Sequence, residues 1–151
     1  MSRYIIGIDP DSSKHGVAVY FHGELVRLES MSLMTLLDYI KETSDLIAPH
    51  TFEVHIEDVC AKKAVWHAKK EILAVKLMSA QRVGMCKQAQ REVEFMAEYL
   101  GVKVVKHPIS STWKSQAGKK QFQAVTGWPK SGNEDTRSAA YFGWLGVTSN
   151  K

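Results

Sequence analysis

The chain has 151 residues, 44% apolar and 24% charged, ordinary proportions for a soluble globular protein and length enough for a real core. Its 20 Lys and Arg outnumber its 16 Asp and Glu, and a formal charge of +4 favours an anionic partner, nucleic acid first. Cys60 and Cys86 make no disulfide framework or ligand spacing, no apolar run reaches membrane length, and the chain enters a strand at once; the expectation is one cytoplasmic domain, residues 1–151, with no membrane partner.

Tyr4 to Tyr20 reads as a β-hairpin: an apolar run through Ile5, Ile6 and Ile8 ends in Asp9, a Pro- and Ser-containing turn follows, and a second apolar run begins at Val17. An ionised carboxylate at the end of a strand buried on both faces is costly unless a cation or hydrogen bonds meet it. Gly7 lets another backbone, or a phosphate held by a metal, come close. Gly16 restarts the chain with no side chain opposite the acid. A capping role is the plain account of Asp9; other acids arriving at the same place would argue for a site. His22-Gly23 turns into a third strand, Glu24 to Glu29, completing an antiparallel meander. Ser32 can cap a helix with Leu33, Leu36, Leu37 and Ile40 on one face and Asp38, Lys41 and Glu42 on the other, ending near Ala48-Pro49-His50. Phe52 to Asp58 alternates as a fourth strand. A helix between strands three and four makes a crossover, so strand four should run parallel to strand one. Asp9 and Glu57 then share one end of the sheet, where they repel unless a divalent cation sits between them.

Beyond Ala61 the chain turns basic, with Lys62, Lys63, His67, Lys69 and Lys70 around Trp66. A solvated loop is the plain reading; lysines on phosphates and a ring stacked or wedged at a base is the functional one. A long helix, Glu71 to Leu100, follows. Its Met residues read as core filler, and Ser79, Ala80 and Gly84 as the small side chains that let it lie close on the sheet. Gly101 stops it, Val102 to His107 forms a fifth strand, and a polar, basic segment from Ser110 to Lys120, containing Lys114, leads into a short helix through Val125. The last helix begins at Asn133-Glu134-Asp135 and continues through Ala139, Ala140, Phe142, Trp144 and Leu145. First-turn acids suit the helix dipole in any protein; here one or both can also reach back towards Asp9 and Glu57.

Three antiparallel strands, a helix, a parallel strand, a helix, a strand and a final helix is the order of the α/β ribonuclease H-like fold, a mixed five-stranded sheet flanked by helices. Within it the chain resembles the RuvC family of Holliday junction resolvases, in a divergent, phage-like form. Ile6-Gly7-Ile8-Asp9-Pro10-Asp11-Ser12 is similar to the family's first motif, with Asp11 where glycine is usual. Ile56-Glu57-Asp58-Val59 is similar to its second acidic strand, Ser79 to Gly84 to the start of its central helix, and Gly118-Lys119-Lys120 to the segment with its basic active-site residues. The fourth motif departs: an acid or histidine followed three residues later by Asp is usual, yet Glu134 is followed by Arg137 and Asp135 by Ser138. The resemblance implies a Mg²⁺-dependent endonuclease, with Mn²⁺ able to substitute, that cuts four-way or other branched DNA and leaves 5′-phosphates. By the same resemblance Asp9, Glu57, Glu134 and Asp135 are metal-binding and catalytic, and Lys119 and Lys120 catalytic. Lys62, Lys63, Trp66, His67, Lys69, Lys70 and Lys114 contact DNA, and two copies pair through the Met-rich side of the central helix. The alternatives are a catalytically silent DNA-binding module on this fold, or a nuclease of this fold with another nucleic-acid substrate. An actin-like ATPase also carries a Gly-Ile-Asp turn, but needs two such domains, more than this length provides.

Overall fold

The computed structural model describes residues 3–46, 52–61 and 73–149. Strands β1 (Tyr4–Asp9), β2 (His15–Phe21) and β3 (Glu24–Met31) form the expected antiparallel meander, β3 running two residues past its expected end. His22 and Gly23, at φ 50° and 83°, both take the left-handed conformation that a two-residue hairpin turn needs. Helix α1 (Leu33–Ser44) starts on Ser32, whose hydroxyl accepts a hydrogen bond from the Thr35 N–H. Strand β4 (Phe52–Glu57) then pairs parallel to β1, with Ile8 opposite Ile56. After helix α2 (Leu73–Tyr99), β5 (Lys103–His107) pairs parallel to β4, and helices α3 (Gln116–Thr126) and α4 (Glu134–Ser149) complete the fold. The sheet order is β3-β2-β1-β4-β5, mixed and five-stranded as expected.

Strand alternation divides the apolar residues between two layers. On one face Ile6, Ile8, Val17, Val19, Val54 and Ile56 pack on Leu36 and Ile40 of α1 and on Val93, Met96 and Ala97 of α2. On the other, Ile5, Ala18 and Tyr20 meet Trp113, Phe122, Ala139 and Ala140. Each fully buried large side chain contributes about 1.5–3 kcal/mol, so these two layers set the arrangement of the helices.

Helix α4 lies unusually close to the sheet, and glycines at the contact are the reason. A Cβ on Gly7 would stand 1.9 Å from the Ala139 carbonyl oxygen, and one on Gly16 would stand 2.2 Å from that of Asp135. From the helix side, Gly143 faces the Tyr20 ring and Gly146 the His55 imidazole, each with room for no more than hydrogen. The Tyr20 hydroxyl donates to the Ala140 carbonyl at 2.6 Å and fixes the helix against sliding. Gly7 thus admits a backbone, one of the two roles its position in the sequence suggests.

Helix α2 departs from expectation. Ser79, Ala80 and Gly84 are exposed, and a Cβ on Gly84 would meet nothing within 4 Å. Leu73, Val75, Leu77, Met78 and Met85 are 44–65% exposed, and of the helix's methionines Met96 belongs to the core. The cause is length: 27 residues of helix span about 40 Å, whereas an eight-residue strand, the longest here, spans roughly 26 Å. The helix outruns the sheet, and among the described residues its first half has no layer beneath it.

Lys62, Lys63, Trp66, His67, Lys69 and Lys70 lie outside the described residues. Among the described residues no helix is long and apolar enough to cross a membrane, and Cys60 and Cys86 are free thiols.

Candidate active site

Asp9 and Glu57 each follow by one residue the paired Ile8 and Ile56 of neighbouring parallel strands, so their backbones stand side by side at the same sheet end. Alternation from Ile5 and Gly7 turns Asp9 to the α4 face, and alternation from His55 does the same for Glu57. Both are nearly enclosed, 5% and 6% exposed. Gln90, fully buried on α2, holds the exit from β4: its amide donates to Asp58 at 3.0 Å and its carbonyl accepts from the Cys60 N–H at 2.9 Å. Burial pushes the Asp9 carboxyl above the ordinary aspartate range, and Lys114 works against that rise.

Asp135 reaches the same end from the first turn of α4. The cap of that helix is Asn133, whose side-chain oxygen accepts from the Thr136 N–H at 2.8 Å, so Asp135 is not needed there. Burial, and after it the charge of Asp11, hold the Asp135 carboxyl above its ordinary value. Glu134 is exposed, and its charge acts on Asp135 from the same turn. Of the two possible registers for the last helix, the one facing the acids is Asp135 with Ser138, whose buried hydroxyl is turned to Asp9. These two residues are three apart and therefore share a helix face.

Lys114, expected on DNA phosphates, lies with its Nζ 3.3 Å from Asp9 Oδ2. Burial disfavours its charge, but Asp9 and Glu57 outweigh burial and keep the ammonium above its ordinary value. The loop is aimed by its neighbours. Trp113, 1% exposed, is wedged edge-on against Phe122 and Tyr141, with ring centres 5.7 and 5.5 Å away. Arg137 donates to the carbonyls of Trp113 and Lys114, both at 2.9 Å, and to those of Ser131 and Gly132 at 3.2 and 3.3 Å. One guanidinium fork therefore ties the Lys114 loop to the loop that precedes α4. Arg137→Lys, with a single ammonium for four acceptors, should cost on the order of 2 kcal/mol, read as a shift in denaturant midpoint at constant slope; an unshifted midpoint would contradict the bonding described.

Lys119 and Lys120 sit on the first turns of α3, partly buried and exposed respectively, and form no ion pair with these acids among the described residues. The lysine paired with Asp9 among the described residues is Lys114. Asp11 and Ser138 belong to the group and were not among the expected site residues. The available signals were a second acid in the turn after Asp9 and the three-residue spacing from Asp135.

No three His, Cys, Asp or Glu side chains among the described residues stand close enough, as they lie, to hold a metal ion. The donors nevertheless fit a hard divalent cation. They are carboxylate oxygens from separate segments, and buried Asp9 Oδ2 already meets one cation, the Lys114 ammonium at 3.3 Å.

Away from these acids, His55 is 1% exposed on the α4 face of the sheet. Its Nε2 lies 2.7 Å from Glu53, and its Nδ1 lies 2.7 Å from His107 Nε2. The Glu53 carboxylate accepts from Nε2–H, leaving Nδ1 to accept from His107. Burial lowers the pKa of His15, His55 and His107. Below pH about 6.5 the unfolded chain takes up protons that the folded one refuses, so folding stability falls as pH drops through that value. The raised carboxyls of Asp9 and Asp135 act oppositely, adding stability as pH falls through their own folded values. Three imidazoles against two carboxyls give a lower melting temperature expected at pH 5.5 than at 7.5 by circular dichroism; a higher one would show that the carboxyls dominate.

No protein-family model and no curated protein sequence matches the chain. Solved structures do. Thermus thermophilus RuvC in complex with a Holliday junction substrate superposes with a TM-score of 0.56 at 15% identity, over 98% of this chain and 95% of that one. A further structure of Thermus thermophilus RuvC gives 0.55 at 15% identity, over 97% and 95%. The chain therefore has the ribonuclease H-like fold in the form seen in RuvC.

Proposed function

We propose that this chain is a divalent-metal-dependent endonuclease that cuts four-way or other branched DNA. The observation that carries the reading is that Asp9, Glu57 and Asp135, from three segments far apart in sequence, all act on the Lys114 ammonium at one sheet end of a fold shared with RuvC in complex with a Holliday junction substrate. These carboxylates would hold Mg²⁺, with Mn²⁺ able to substitute. A bound ion supplies a water of lowered pKa and charge stabilisation for the departing oxygen. Asp9 offers an acceptor in a space nearly closed to water, where its charge acts at low dielectric. Lys114 balances Asp9 and can turn its ammonium to a phosphate oxygen as negative charge develops there. The basic run around Trp66 is the proposed DNA-contacting stretch, together with Lys119 and Lys120 on α3. Paired cuts need two sites, so a second copy is part of the proposal, seated on the exposed apolar half of α2.

The test is a synthetic four-way junction, a duplex and an RNA–DNA hybrid, incubated in parallel with Mg²⁺ and with a chelator. Paired nicks confined to the junction, leaving 5′-phosphates and stopped by the chelator, are expected; intact junctions in both conditions would overturn the reading. A silent junction-binding module is the second reading, favoured by the Lys114 ammonium lying where a cation would otherwise meet Asp9. It is marked by junction binding without cleavage and without saturable Mn²⁺ uptake.

A further inference from the structure

We infer that Gln90, fully buried on α2, is a positioning residue for the Glu57 carboxylate: one side-chain amide grips the backbone directly beyond that acid. The role deepens the nuclease reading and rests on it. Glu57 is the last residue of β4, and its support from the sheet is one-sided. The ladder to β1 ends at the Ile8–Ile56 pair, whereas the ladder to β5 continues to Glu57 opposite His107. Past that point the Asp58 N–H donates to the His107 carbonyl at 2.8 Å, and the chain turns through a short 3₁₀ segment, Val59–Ala61. A strand end unpaired along one edge frays unless something holds it.

Gln90 supplies that hold from the layer opposite the acids. Its Nε2 donates to Asp58 Oδ1 at 3.0 Å and its Oε1 accepts from the Cys60 N–H at 2.9 Å, so the residues on both sides of Val59 are fixed. Alternation turns Asp58 towards α2 as it turns Glu57 towards α4. The grip therefore sets the backbone without entering the space in front of the Glu57 carboxylate. A neutral amide suits this place because it donates and accepts from one planar head; lysine could not accept, and an ionised glutamate could not donate. Gln90 Nε2 also faces Glu94 Oε2 at 3.5 Å, and Glu94 pairs with Lys106 of β5 at 3.6 Å. The Cys60 thiol adds a contact at 3.6 Å with the Lys87 carbonyl. The mount is firm, since Val93, Met96 and Ala97, on the next turns of α2, are locked in the core. Buried away from water, such bonds are costly to leave unmade.

The experiment compares wild type, Gln90→Met, Asp58→Ala, their double variant and Asp58→Asn. Single-turnover cleavage of a prebound four-way junction and junction affinity are measured separately, well below each melting temperature. Methionine keeps the length of Gln90 without donor or acceptor, and asparagine at 58 keeps the oxygen that Gln90 donates to. We expect the cleavage rate to fall about 10–100-fold in Gln90→Met and less in Asp58→Ala. Junction affinity should stay within a few-fold, the double variant should be no slower than Gln90→Met, and Asp58→Asn should cleave like wild type. Exchange of the Cys60 N–H should quicken about tenfold or more in Gln90→Met. If Gln90→Met misfolds, Asp58→Ala breaks the Gln90–Asp58 bond from a partly exposed position and decides the matter. A lower melting temperature and faster exchange with an unchanged cleavage rate would make Gln90 merely structural, overturning its positioning role and leaving the nuclease reading standing. Equal losses of affinity and rate also overturn it, because the grip would then serve DNA binding rather than Glu57. No cleavage by the wild-type chain overturns the nuclease reading, and the positioning role with it.

Discussion

Replacing Asp9 by Asn should lower Mg²⁺-dependent junction cleavage on the order of 10³-fold or more while junction affinity stays within a few-fold. The amide matches the carboxylate in shape, so Ile8 and Gly16 on either side keep their places. What goes is a buried charge that both Lys114 and a divalent ion address. Because burial disfavours ionisation of Asp9 in the metal-free chain, removing its charge relieves a cost. Lys114 loses its partner in the same step but is 31% exposed and can turn to water. The melting temperature should therefore move little, which separates a catalytic loss from a folding one. Undiminished cleavage by this variant would refute the assignment of the site to these acids.

Gly7→Ala should be the most damaging single methyl in the molecule. The added carbon would sit 1.9 Å from the Ala139 carbonyl oxygen and 2.6 Å from the Gly143 nitrogen. Both are backbone atoms of α4, so no side-chain rotation relieves the overlap and the whole helix must lift. Overpacking costs typically 1–3 kcal/mol, and a rigid neighbour puts this case at about 3. In a chain of this size that lowers the melting temperature by roughly 6–12 °C. Cleavage should fall further than stability alone explains, because Asp135 rides on the displaced helix and a 1 Å misplacement can cost about 10²-fold. Gly84→Ala is the control. Nothing lies within 4 Å of its new carbon, and alanine in an exposed helix interior gains about 0.5–1 kcal/mol over glycine. Equal melting of the two variants would mean that α4 is not seated on Gly7 as described.

That contrast shows why small residues in a sequence are hard to read. Ser79, Ala80 and Gly84 look like a surface for close packing and face solvent, whereas Gly143 and Gly146 carry the contact. Both stretches are locally good helix with small side chains; only the element opposite distinguishes them, and among the described residues α2 has none there. The choice between Glu134 and Asp135 was undecided for a similar reason. They are 100° apart around one helix, and the rotation of α4 is set by Tyr20, Gly7 and His55, residues far away in sequence. Lys114 read as one lysine among many in a polar loop until Trp113 and Arg137 pinned that loop beneath α4.

By itself the sequence determined the strands and their faces, the turn at His22-Gly23, the cap at Ser32 and the parallel crossover that brings Asp9 and Glu57 to one end. Those follow from period, turn chemistry and connection rules that act over a few residues or a single connection. Only the tertiary structure decided which further groups join them, Asp11, Lys114, Asp135 and Ser138. That outcome depends on how deeply one helix settles onto the sheet, a matter of backbone-to-backbone clearance at Gly7 and Gly16 that no local pattern records.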